Sequence, residues 1–312
     1  MVSFLKATHT NKRRMTGMTK KTKDYIFVAL MLLIPVIHFI IFWGVVNFNS
    51  ILLGFQRLDT ETGELYFTLE NFATVFNFMK QRELRIAIGN TLLTWGVQTI
   101  FLMPWSFFIT YFLYKKIPLT GVWRLFLFLP SILPAIFLTS MFKYAIQPIG
   151  PIGQLWSLLF NKEAPTFLLE VDYAKWVVLL YFFWTNFGGQ FILLMGAMAR
   201  IPTQLLEAGQ IDGVNMWVEM FQIVFPLCWS TFSMILVLNV ASLFTASGPI
   251  LLLTQGGADT ETISYWIFRH VQGGDATLFM PSALGVVCTL IIFPIVTFVR
   301  WGTGKIWADV EF

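Results

Sequence analysis

Residues 207–213 read EAGQIDG and place charged and small side chains in the middle of a chain that is otherwise strongly apolar. Glu207 offers a carboxylate that could pair with an Arg or Lys of a partner protein. Ala208 and Gly209 are small enough to let the surface of that partner approach closely. The stretch therefore predicts recognition of a partner, and the alternative interpretation is an amphipathic connector between two membrane segments.

The neighbouring residues predict a helix, a turn and a second helix around this stretch. Pro202 suits the first turn of a helix, and residues 204–211 are mostly good helix formers. Asp212 and Gly213 form a break, because glycine readily takes the left-handed conformation that ends a helix. Either Asp212 or Asn215 can cap the second short helix. We expect this unit to lie at a membrane surface, just before a long apolar run.

The sequence carries no catalytic or nucleotide-binding signature. GTGK at 302–305 is not a phosphate-binding loop, because Val299 stands where a glycine is required and Ile306 follows the lysine. No His-Glu-x-x-His or Gly-x-Ser-x-Gly pattern occurs, and the three histidines are scattered. The two cysteines lie in apolar runs and predict buried thiols without a disulfide framework. We therefore expect neither an enzyme nor a metal site.

The composition is that of a membrane protein. Of the 312 residues 56% are hydrophobic and 12% are charged, with a mean hydropathy of +0.70, whereas soluble domains carry about 25% charged residues. Six apolar runs reach the roughly 20 residues that a membrane-spanning helix needs. They cover residues 25–46, 89–114, 121–143, 176–199, 221–246 and 281–301. The runs are too long and too uniformly apolar for barrel strands, so the predicted fold is an all-α bundle of six transmembrane helices.

The cores of these six runs contain no Asp or Glu. Carriers driven by protons or sodium ions usually place carboxylates there, since a charge near the midplane is costly and is kept for function. The polar side chains that do occur are neutral: Gln98, Asn186, Gln190 and Asn239, with His38 in the first run. Several runs are interrupted by proline or glycine, at Pro104, Pro130, Pro134, Gly188, Gly189, Pro226 and Pro294. Kinked helices around neutral polar groups favour a path for an uncharged, hydroxyl-rich solute.

Lys and Arg are distributed unevenly around the six runs. The first 24 residues, the loops after the second and fourth runs and the C-terminal end hold 13 of the 21 Lys and Arg residues, and the opposite loops hold 8. Because basic loops stay in the cytoplasm, both termini and the 207–213 stretch are predicted to be cytoplasmic. We divide the chain into a basic tail, residues 1–24, which is expected to contact membrane lipid and not nucleic acid, and a membrane domain, residues 25–312.

The central stretch resembles the EAA loop of binding-protein-dependent ABC importer permeases. The family pattern is Glu-Ala-Ala, then Asp-Gly-Ala, an aromatic residue and an Ile-x-Leu-Pro element. This chain has Glu207-Ala208-Gly209, Asp212-Gly213-Val214, Phe221 and Ile223-Val224-Phe225-Pro226. Gly209 and Val214 replace the usual alanines with residues of similar size or polarity. We name residues 200–220 the coupling loop.

Other segments resemble the carbohydrate-uptake branch of the family, in particular its maltose-type large permease subunit. They are NTLL at 90–93, FLFLPSILPAIF at 126–137, FWTNFGGQFILLMGAMARIP at 183–202 and LLTQGGADTET at 252–262, where Ala258 replaces the usual proline. They follow the family's order over most of residues 70–300. The resemblance implies a type I importer fold, with a core of five helices and one flanking helix.

The resemblance also implies an assembly in a bacterial plasma membrane. This chain and a second permease, expected to be a different chain, would sit on two ATP-binding subunits that hold ATP and Mg²⁺. An external solute-binding protein would deliver a carbohydrate, expected to be an oligosaccharide. The residues implied in ATPase coupling are Glu207, Ala208, Gly209, Asp212 and Gly213. Glu207 would pair with a basic residue of the ATPase, and Gly213 would set the turn.

The resemblance places the solute path on the fourth and fifth runs. The implied path residues are Thr185, Asn186, Gly189, Asn239, Ser242, Leu243 and Ala246. Gln190 could add a hydrogen bond, and Phe187 and Phe191 could stack on sugar rings, although ordinary packing would equally explain these aromatic residues.

Three other interpretations fit the sequence less well. An importer of another solute, such as a glycerol phosphate ester, would need cationic residues facing the path, and the cores of the fourth and fifth runs have none. A stand-alone secondary transporter would need the intramembrane carboxylates that the runs lack. A membrane-anchored scaffold would require neither the coupling-loop pattern nor broken helices.

Overall fold

The computed structural model describes residues 20–59, 61–245, 248–273 and 278–306. Most of the predicted basic tail lies outside these ranges, and so does Ala246 of the predicted solute path. The chain divides into two compact units, Met1–Leu53 and Gly54–Phe312. Helices make up most of the described residues of both units.

The described part of the first unit is one long apolar helix. Helix α1 (Lys20–His38) continues through a wider π-helical segment, Phe39–Val45, into α2 (Val46–Gly54). Residues Asp24–Gly54 form a stretch of 31 residues that is apolar enough to cross a membrane. Its side chains are exposed almost throughout, which suits a helix that faces lipid, because lipid tails are as apolar as these side chains.

The second unit combines a short hairpin with the remaining helices. Strands β1 (Gln56–Leu58) and β2 (Leu65–Phe67) pair antiparallel. The helices in the first half are α3 (Glu70–Phe78), α4 (Arg82–Gly96), α5 (Met103–Tyr114), α6 (Thr120–Ile132), α7 (Ala135–Ile146) and α8 (Pro151–Phe160). The second half contains α9 (Val171–Met198), α10 (Thr203–Ile211), α11 (Met216–Val218), α12 (Phe225–Leu227), α13 (Trp229–Ala241), α14 (Gly248–Leu253), α15 (Ile263–Val271) and α16 (Phe279–Ile306).

Four described stretches are single helices long and apolar enough to cross a membrane: Asp24–Gly54, Arg82–Tyr114, Val171–Met198 and Phe279–Ile306. Two helix pairs reach that length only across a bend. Thr120–Ile132 and Ala135–Phe160 meet at 109°, and Met216–Leu227 and Trp229–Ala241 meet at 71°. The all-α fold is confirmed, and the six predicted runs correspond to four long helices and two bent pairs.

Proline accounts for the bend in the third predicted run. The sequence predicts one helix over residues 121–143, whereas the chain leaves the helical conformation at Leu133, whose φ is −71° and ψ is 143°. Pro134 follows, and a residue before proline is driven from the helical to the extended region by the proline ring. The fifth predicted run, residues 221–246, bends beside Cys228, two residues after Pro226.

Two π-helical segments precede prolines inside long helices. Val97–Leu102 joins α4 to α5 just before Pro104, and Glu219–Val224 joins α11 to α12 just before Pro226. Proline lacks an N–H and its ring clashes with the carbonyl four residues earlier, so an ordinary helical turn is strained there. A wider π-helical turn relieves this clash and keeps the backbone helical.

Buried apolar side chains form separate clusters at the two ends of the long helices. Near the coupling loop, Met103 of α5 and Met198 of α9 pack with Leu206 and Met220. At the other end, α3, α4, α15 and α16 surround Trp266, which is fully buried. These two clusters hold α4–α5 at both ends. A third cluster, which includes Val178 of α9 and Ile250 of α14, holds the first half of α9.

Asn90 joins α4 to the loop of residues 254–262. Its side-chain amide donates hydrogen bonds to the carbonyl oxygens of Asp259 at 2.7 Å and of Glu261 at 2.8 Å. This loop turns sharply, with positive φ at Gln255, Gly256, Ala258 and Asp259. Asn90 is only 5% exposed, so the two carbonyl groups depend on it for hydrogen bonds.

We expect Asn90→Leu to destabilise the second unit by about 2–4 kcal/mol, because two buried carbonyl oxygens lose their donor. The measurement is the thermal unfolding midpoint of the purified protein in mild detergent. Asn77→Leu on α3 is the matched control, since Asn77 is exposed. Equal midpoints for the two variants would show that Asn90 does not hold this loop.

Candidate functional site

The coupling loop folds as a helix, a turn and a second helix. Pro202 has a ψ of 128° and lies just outside α10 as its capping residue, whereas the sequence predicts it in the first turn. Helix α10 ends at Ile211 with Asp212 as its C-cap, and Gly213 turns the chain with a φ of +74°, a conformation that favours glycine. Asn215 then caps α11, because its side chain accepts a hydrogen bond from the Val218 N–H at 2.9 Å. The predicted helix-turn-helix is confirmed, with Asn215 as the cap of the second helix.

The inner face of α10 rests against the π-helical segment that follows the turn. Leu206 and Gly209 are buried on this face. A Cβ atom at Gly209 would come within 2.9 Å of Ile223 Cδ1 and 4.0 Å of Val214. Glycine at position 209 therefore makes room for the Ile223 side chain, while Val214 lies at an ordinary contact distance.

The outer face of α10 presents its side chains to solvent. Glu207 and Ala208 are exposed, and so are Asp212 and Gly213 at the turn. Ile211 is 87% exposed and lies four residues after Glu207, so the carboxylate and the aliphatic side chain share one face of the helix. No motif in the sequence marks Ile211 as a contact residue. The arrangement offers a partner one charge, one apolar contact and a surface with small residues.

An ion pair between a buried carboxylate and a partly exposed ammonium group ties the coupling loop to the end of α5. Lys115 Nζ lies 2.8 Å and 3.0 Å from the two carboxylate oxygens of Glu219, and the Tyr111 hydroxyl donates to Glu219 Oε1 at 3.2 Å. Glu219 is 5% exposed, and the Lys115 side chain is 29% exposed. A charged hydrogen-bonded pair in such a site resists separation, because removing either partner leaves an uncompensated charge.

Sequence reasoning missed the function of this pair, although both residues were in view. Lys115 lies in the basic loop after the second run and Glu219 lies in the coupling loop, but no motif joins them. The available signal was position: Glu219 comes two residues before the fifth predicted run, and Lys115 directly follows the second. Opposite charges at run ends on the same predicted side of the membrane could have been paired.

The predicted path residues of α9 are mostly occupied within their own helix. Thr185 donates to the Tyr181 carbonyl at 3.0 Å, and Asn186 donates to the Phe182 carbonyl at 2.9 Å. Both side chains are half-buried, Gly189 is exposed, and a Cβ at Gly189 would meet nothing within 4 Å. The α9 face at these residues is open enough to admit another molecule.

Gln190 is different, because it is 7% exposed and its side-chain oxygen has no hydrogen-bond partner within the described ranges. A buried acceptor without a donor is costly, so this oxygen is suited to receive a hydrogen bond from a bound molecule or water. The sequence identified the residue, and the structure adds the unsatisfied oxygen.

The predicted path residues of α13 form a hydrogen-bonded contact with the α4–α5 helix. Asn239 is 5% exposed, and its side-chain oxygen accepts a hydrogen bond from the Gln98 amide at 3.0 Å. Its backbone carbonyl accepts one from the Trp95 indole N–H at 3.1 Å. Ser242 donates to the same carbonyl at 2.9 Å, and Leu243 is buried. The contact joins neutral amides of the second and fifth predicted runs.

A cavity of about 490 Å³ lies beside α9, and its wall is apolar and aromatic. Its lining residues include Trp105, Leu127, Phe142, Phe183, Trp184 and Phe187. Apart from the two indole N–H groups, these side chains cannot hydrogen-bond the hydroxyl groups of a sugar. Phe187 therefore faces an apolar space, which does not resemble a site for a hydroxyl-rich solute.

The 254–262 loop carries a partly buried carboxylate at the end of the molecule opposite the coupling loop. Glu261 Oε1 lies 3.1 Å from Arg269 Nη2. Burial raises the pKa of Glu261 above its usual range, while the nearby Arg269 partly opposes that shift and Glu83 adds to it. In the described part of the chain, no group of three or more His, Cys, Asp or Glu side chains could hold a metal ion.

Relatives of the chain are membrane subunits of ABC transporters. The chain is 24% identical over 285 residues to "Probable ABC transporter permease protein YesP" of Bacillus subtilis (strain 168), which covers 88% of this chain and 89% of the relative. It is 28% identical over 185 residues to "Maltose/maltodextrin transport system permease protein MalF" of Vibrio vulnificus (strain YJ016). The chain is an ABC transporter permease. The second match covers 55% of the permease and 35% of that longer relative, and no protein-family model matches the permease.

Solved structures share the fold of the permease. A chain of a bacterial alginate ABC transporter, in complex with an alginate pentasaccharide-bound periplasmic protein, superposes with a TM-score of 0.80 at 21% identity. This match covers 94% of the permease and 99% of the solved chain. A chain from a bacterial ABC transporter involved in the import of the acidic polysaccharide alginate gives a TM-score of 0.79, also at 21% identity, over 92% of the permease and 98% of that chain.

These comparisons confirm the resemblance that the coupling-loop motif predicts. The permease is a multi-pass protein of the bacterial plasma membrane, since its relatives are bacterial ABC permeases and its helices include several that can span a bilayer. Permeases of this kind are not enzymes.

We expect Lys115→Met to destabilise the purified permease by about 3 kcal/mol, because the buried Glu219 carboxylate loses its cation. The double variant Lys115→Met/Glu219→Gln should recover most of this loss, since no uncompensated charge remains. The measurement is the thermal unfolding midpoint of each variant. Lys116→Met is the control, because Lys116 is exposed one residue away. If the double variant is no more stable than the single variant, the pair does not hold the loop.

Proposed function

We propose that the permease is the transmembrane subunit of an ATP-driven importer and forms the path for a carbohydrate delivered by an external solute-binding protein. The observation that carries the proposal is the coupling loop, which presents an exposed face at Glu207 and Ile211 on a firmly packed base. An exposed face of this kind, at one end of several membrane-spanning helices, suits a partner that does mechanical work on the membrane helices.

The names of the similar proteins support a saccharide as the solute. The MalF relative belongs to a maltose/maltodextrin transport system, and the fold neighbours belong to alginate transporters. These proteins handle sugars that differ in charge, so they support the carbohydrate class without selecting one sugar. An oligosaccharide is the expected form.

The proposed partners are two ATP-binding subunits, a second permease of different sequence and the external solute-binding protein. ATP and Mg²⁺ would be bound by the ATP-binding subunits. A periplasmic binding protein accompanies one fold neighbour, which supports a binding-protein-dependent system. Both termini and the coupling loop would face the cytoplasm, as the distribution of Lys and Arg favours.

Packing below α10 provides a route for the motion that ATP binding would drive. Closure of the two ATPases would move α10, and α10 contacts the π-helical segment through Gly209 and Ile223. That segment is fixed to α5 by Lys115 and Glu219. A displacement of the loop would therefore reach the end of α5 as a rigid shift and rock the helices between inward-facing and outward-facing arrangements.

The solute path would lie along α9 and α13, the helices of the predicted path residues. Gly189 leaves open space, Gln190 offers an unsatisfied oxygen, and Asn186 could exchange its intrahelical bond for one to a hydroxyl group. Asn239 and Gln98 already bond to each other, so a solute would have to open this contact to use them.

The alternative interpretations are less well supported. Named relatives are ABC permeases, which argues against a stand-alone secondary transporter. They also give no support to a glycerol phosphate ester as the solute. A scaffold function would leave the exposed carboxylate and aliphatic side chain of α10 without a purpose.

We expect Glu207→Ala to reduce solute uptake at least tenfold in cells that carry the complete transport system. The expected reason is loss of a charged contact with the ATPase, so ATP hydrolysis should continue without transport or the ATPase should fail to co-purify. Glu163→Ala is the control, because Glu163 is also an exposed carboxylate but lies near the opposite end of α9. Normal uptake at normal expression would rule out a coupling function for Glu207.

We expect Asn186→Leu to raise the apparent KM for solute uptake at least fivefold without changing the amount of assembled complex. Its amide bonds only within α9 among the described contacts, so its removal should spare the fold. Thr289→Val is the control, since its hydroxyl also bonds within its own helix, to the Gly285 carbonyl on α16. An unchanged KM would place the path elsewhere.

A further inference from the structure

A second pocket, of about 550 Å³, opens where α4 and α9 begin. Its charged and polar lining consists of Arg82, Arg85, Asn90, Lys175 and Asp259. A volume of this size falls in the range of about 300–1,000 Å³ that is typical of small-molecule sites. The pocket shares no lining residue with the apolar cavity beside α9.

The pocket and the coupling loop lie at opposite ends of the same helices. Arg82 is the first residue of the continuous stretch Arg82–Tyr114, and Lys115 of the coupling-loop ion pair directly follows that stretch. Helix α9 likewise starts beside the pocket at Val171 and ends at Met198, just before the coupling loop. If the coupling loop contacts a cytoplasmic ATPase, the pocket faces the side from which solute arrives.

The charges of the pocket do not balance. Asp259 pairs with Arg82 at 2.6 Å. Arg85 and Lys175 have no carboxylate partner in the described ranges, so two positive charges remain uncompensated. An anion would neutralise them, and a guanidinium group and an ammonium group both form strong charge-assisted hydrogen bonds with carboxylates.

The helix geometry adds to this positive potential. Helices α4 and α9 both start at the pocket, and the first turn of a helix carries partial positive charge from its free N–H groups. The carboxylates in these first turns, Glu83 and Asp172, are exposed and do not line the pocket. Glu83 and Asp172 offset part of the potential of the helix starts, so the positive charge of the pocket comes mainly from Arg85 and Lys175.

The pocket also offers groups that suit a sugar. Gly89 lies on its wall, and a Cβ there would meet nothing within 4 Å, so the wall is open at this point. The Asn90 amide nitrogen is occupied by the 254–262 loop, which leaves its side-chain oxygen to accept a hydrogen bond from a hydroxyl group. Below the pocket, Asn90 and Lys175 also line a cavity of only about 10 Å³, whose apolar walls include Leu179 and Ile250.

We propose that this basic pocket is a binding site for the carboxylate of an acidic saccharide, such as a uronic acid unit, on its way into the transport path. Arg85 and Lys175 hold the carboxylate, and Asn90 accepts from a ring hydroxyl. The inference rests on the proposed function as a carbohydrate importer and names the class of carbohydrate. It replaces the expectation of an uncharged solute, because that expectation came only from the cores of the membrane runs.

The test compares acidic and neutral saccharides in cells that carry the complete transport system. The probes are labelled oligogalacturonates and the same oligosaccharides with their carboxyl groups methyl-esterified, which keeps the sugar and removes the charge. The variants are Arg85→Gln/Lys175→Gln, with Lys162→Gln as the control, since Lys162 is an exposed lysine nine residues before α9. Complex yield from the membrane is measured for every variant.

We expect the wild-type system to take up the acidic oligosaccharide. Uptake of this probe by the double variant should be at least tenfold lower at normal complex yield. Lys162→Gln should match the wild type, and Lys175→Arg should keep at least half of the uptake because it preserves the charge. Uptake of any transported methyl ester should be unchanged in the double variant.

Three results would overturn the inference. Uptake of neutral saccharides alone by the wild type would reject the acidic class and leave the importer proposal intact. An equal loss for acidic and esterified probes would show that the pocket contacts the binding protein or supports the fold. Uptake of no saccharide at all, by a complex that assembles with its ATPase, would instead reject the carbohydrate proposal itself.

Discussion

Backbone hydrogen bonding in an apolar medium is the constraint on which the rest of the structure depends. A chain that crosses a bilayer must satisfy its N–H and C=O groups internally, so it forms helices wherever proline allows. At Pro104 and Pro226 the helix continues through a π-helical segment, and at Pro134 it breaks and the chain turns by 109°. The segment before Pro226 contains Glu219, so this adjustment also positions the coupling loop on α5.

The long helices connect two surfaces with different chemistry. One end of α4–α5 and α9 carries the coupling loop, where an exposed carboxylate and an exposed isoleucine project from a packed base. The other end carries a pocket with two uncompensated basic side chains. Between them, the polar side chains of α9 and α13 are neutral amides and hydroxyls. A solute recognised by its carboxylate at the pocket would carry that charge past neutral groups that are able to hydrogen-bond to it.

Local sequence was a good guide wherever local forces decide the structure. Long apolar runs predicted the membrane-spanning helices, because such runs are more stable in lipid or in a protein interior than in water. Gly213 predicted the turn, since its φ of +74° favours glycine, and Asn215 was one of two predicted caps. The bend at Leu133 was within reach as well, because the restriction imposed by Pro134 acts on the adjacent residue.

Only the tertiary structure decided which distant residues meet. Lys115 and Glu219 are 104 residues apart, Gln98 and Asn239 are 141 apart, and the pocket combines residues of α4, α9 and the 254–262 loop. Nothing in the periodicity of one helix fixes its rotation or its neighbours, because many helix packings bury the same apolar area. The sequence by itself determined the class of protein, the helices and the coupling loop. The packing of those helices determined which charges are paired, which amides are occupied and which cations remain free for a ligand.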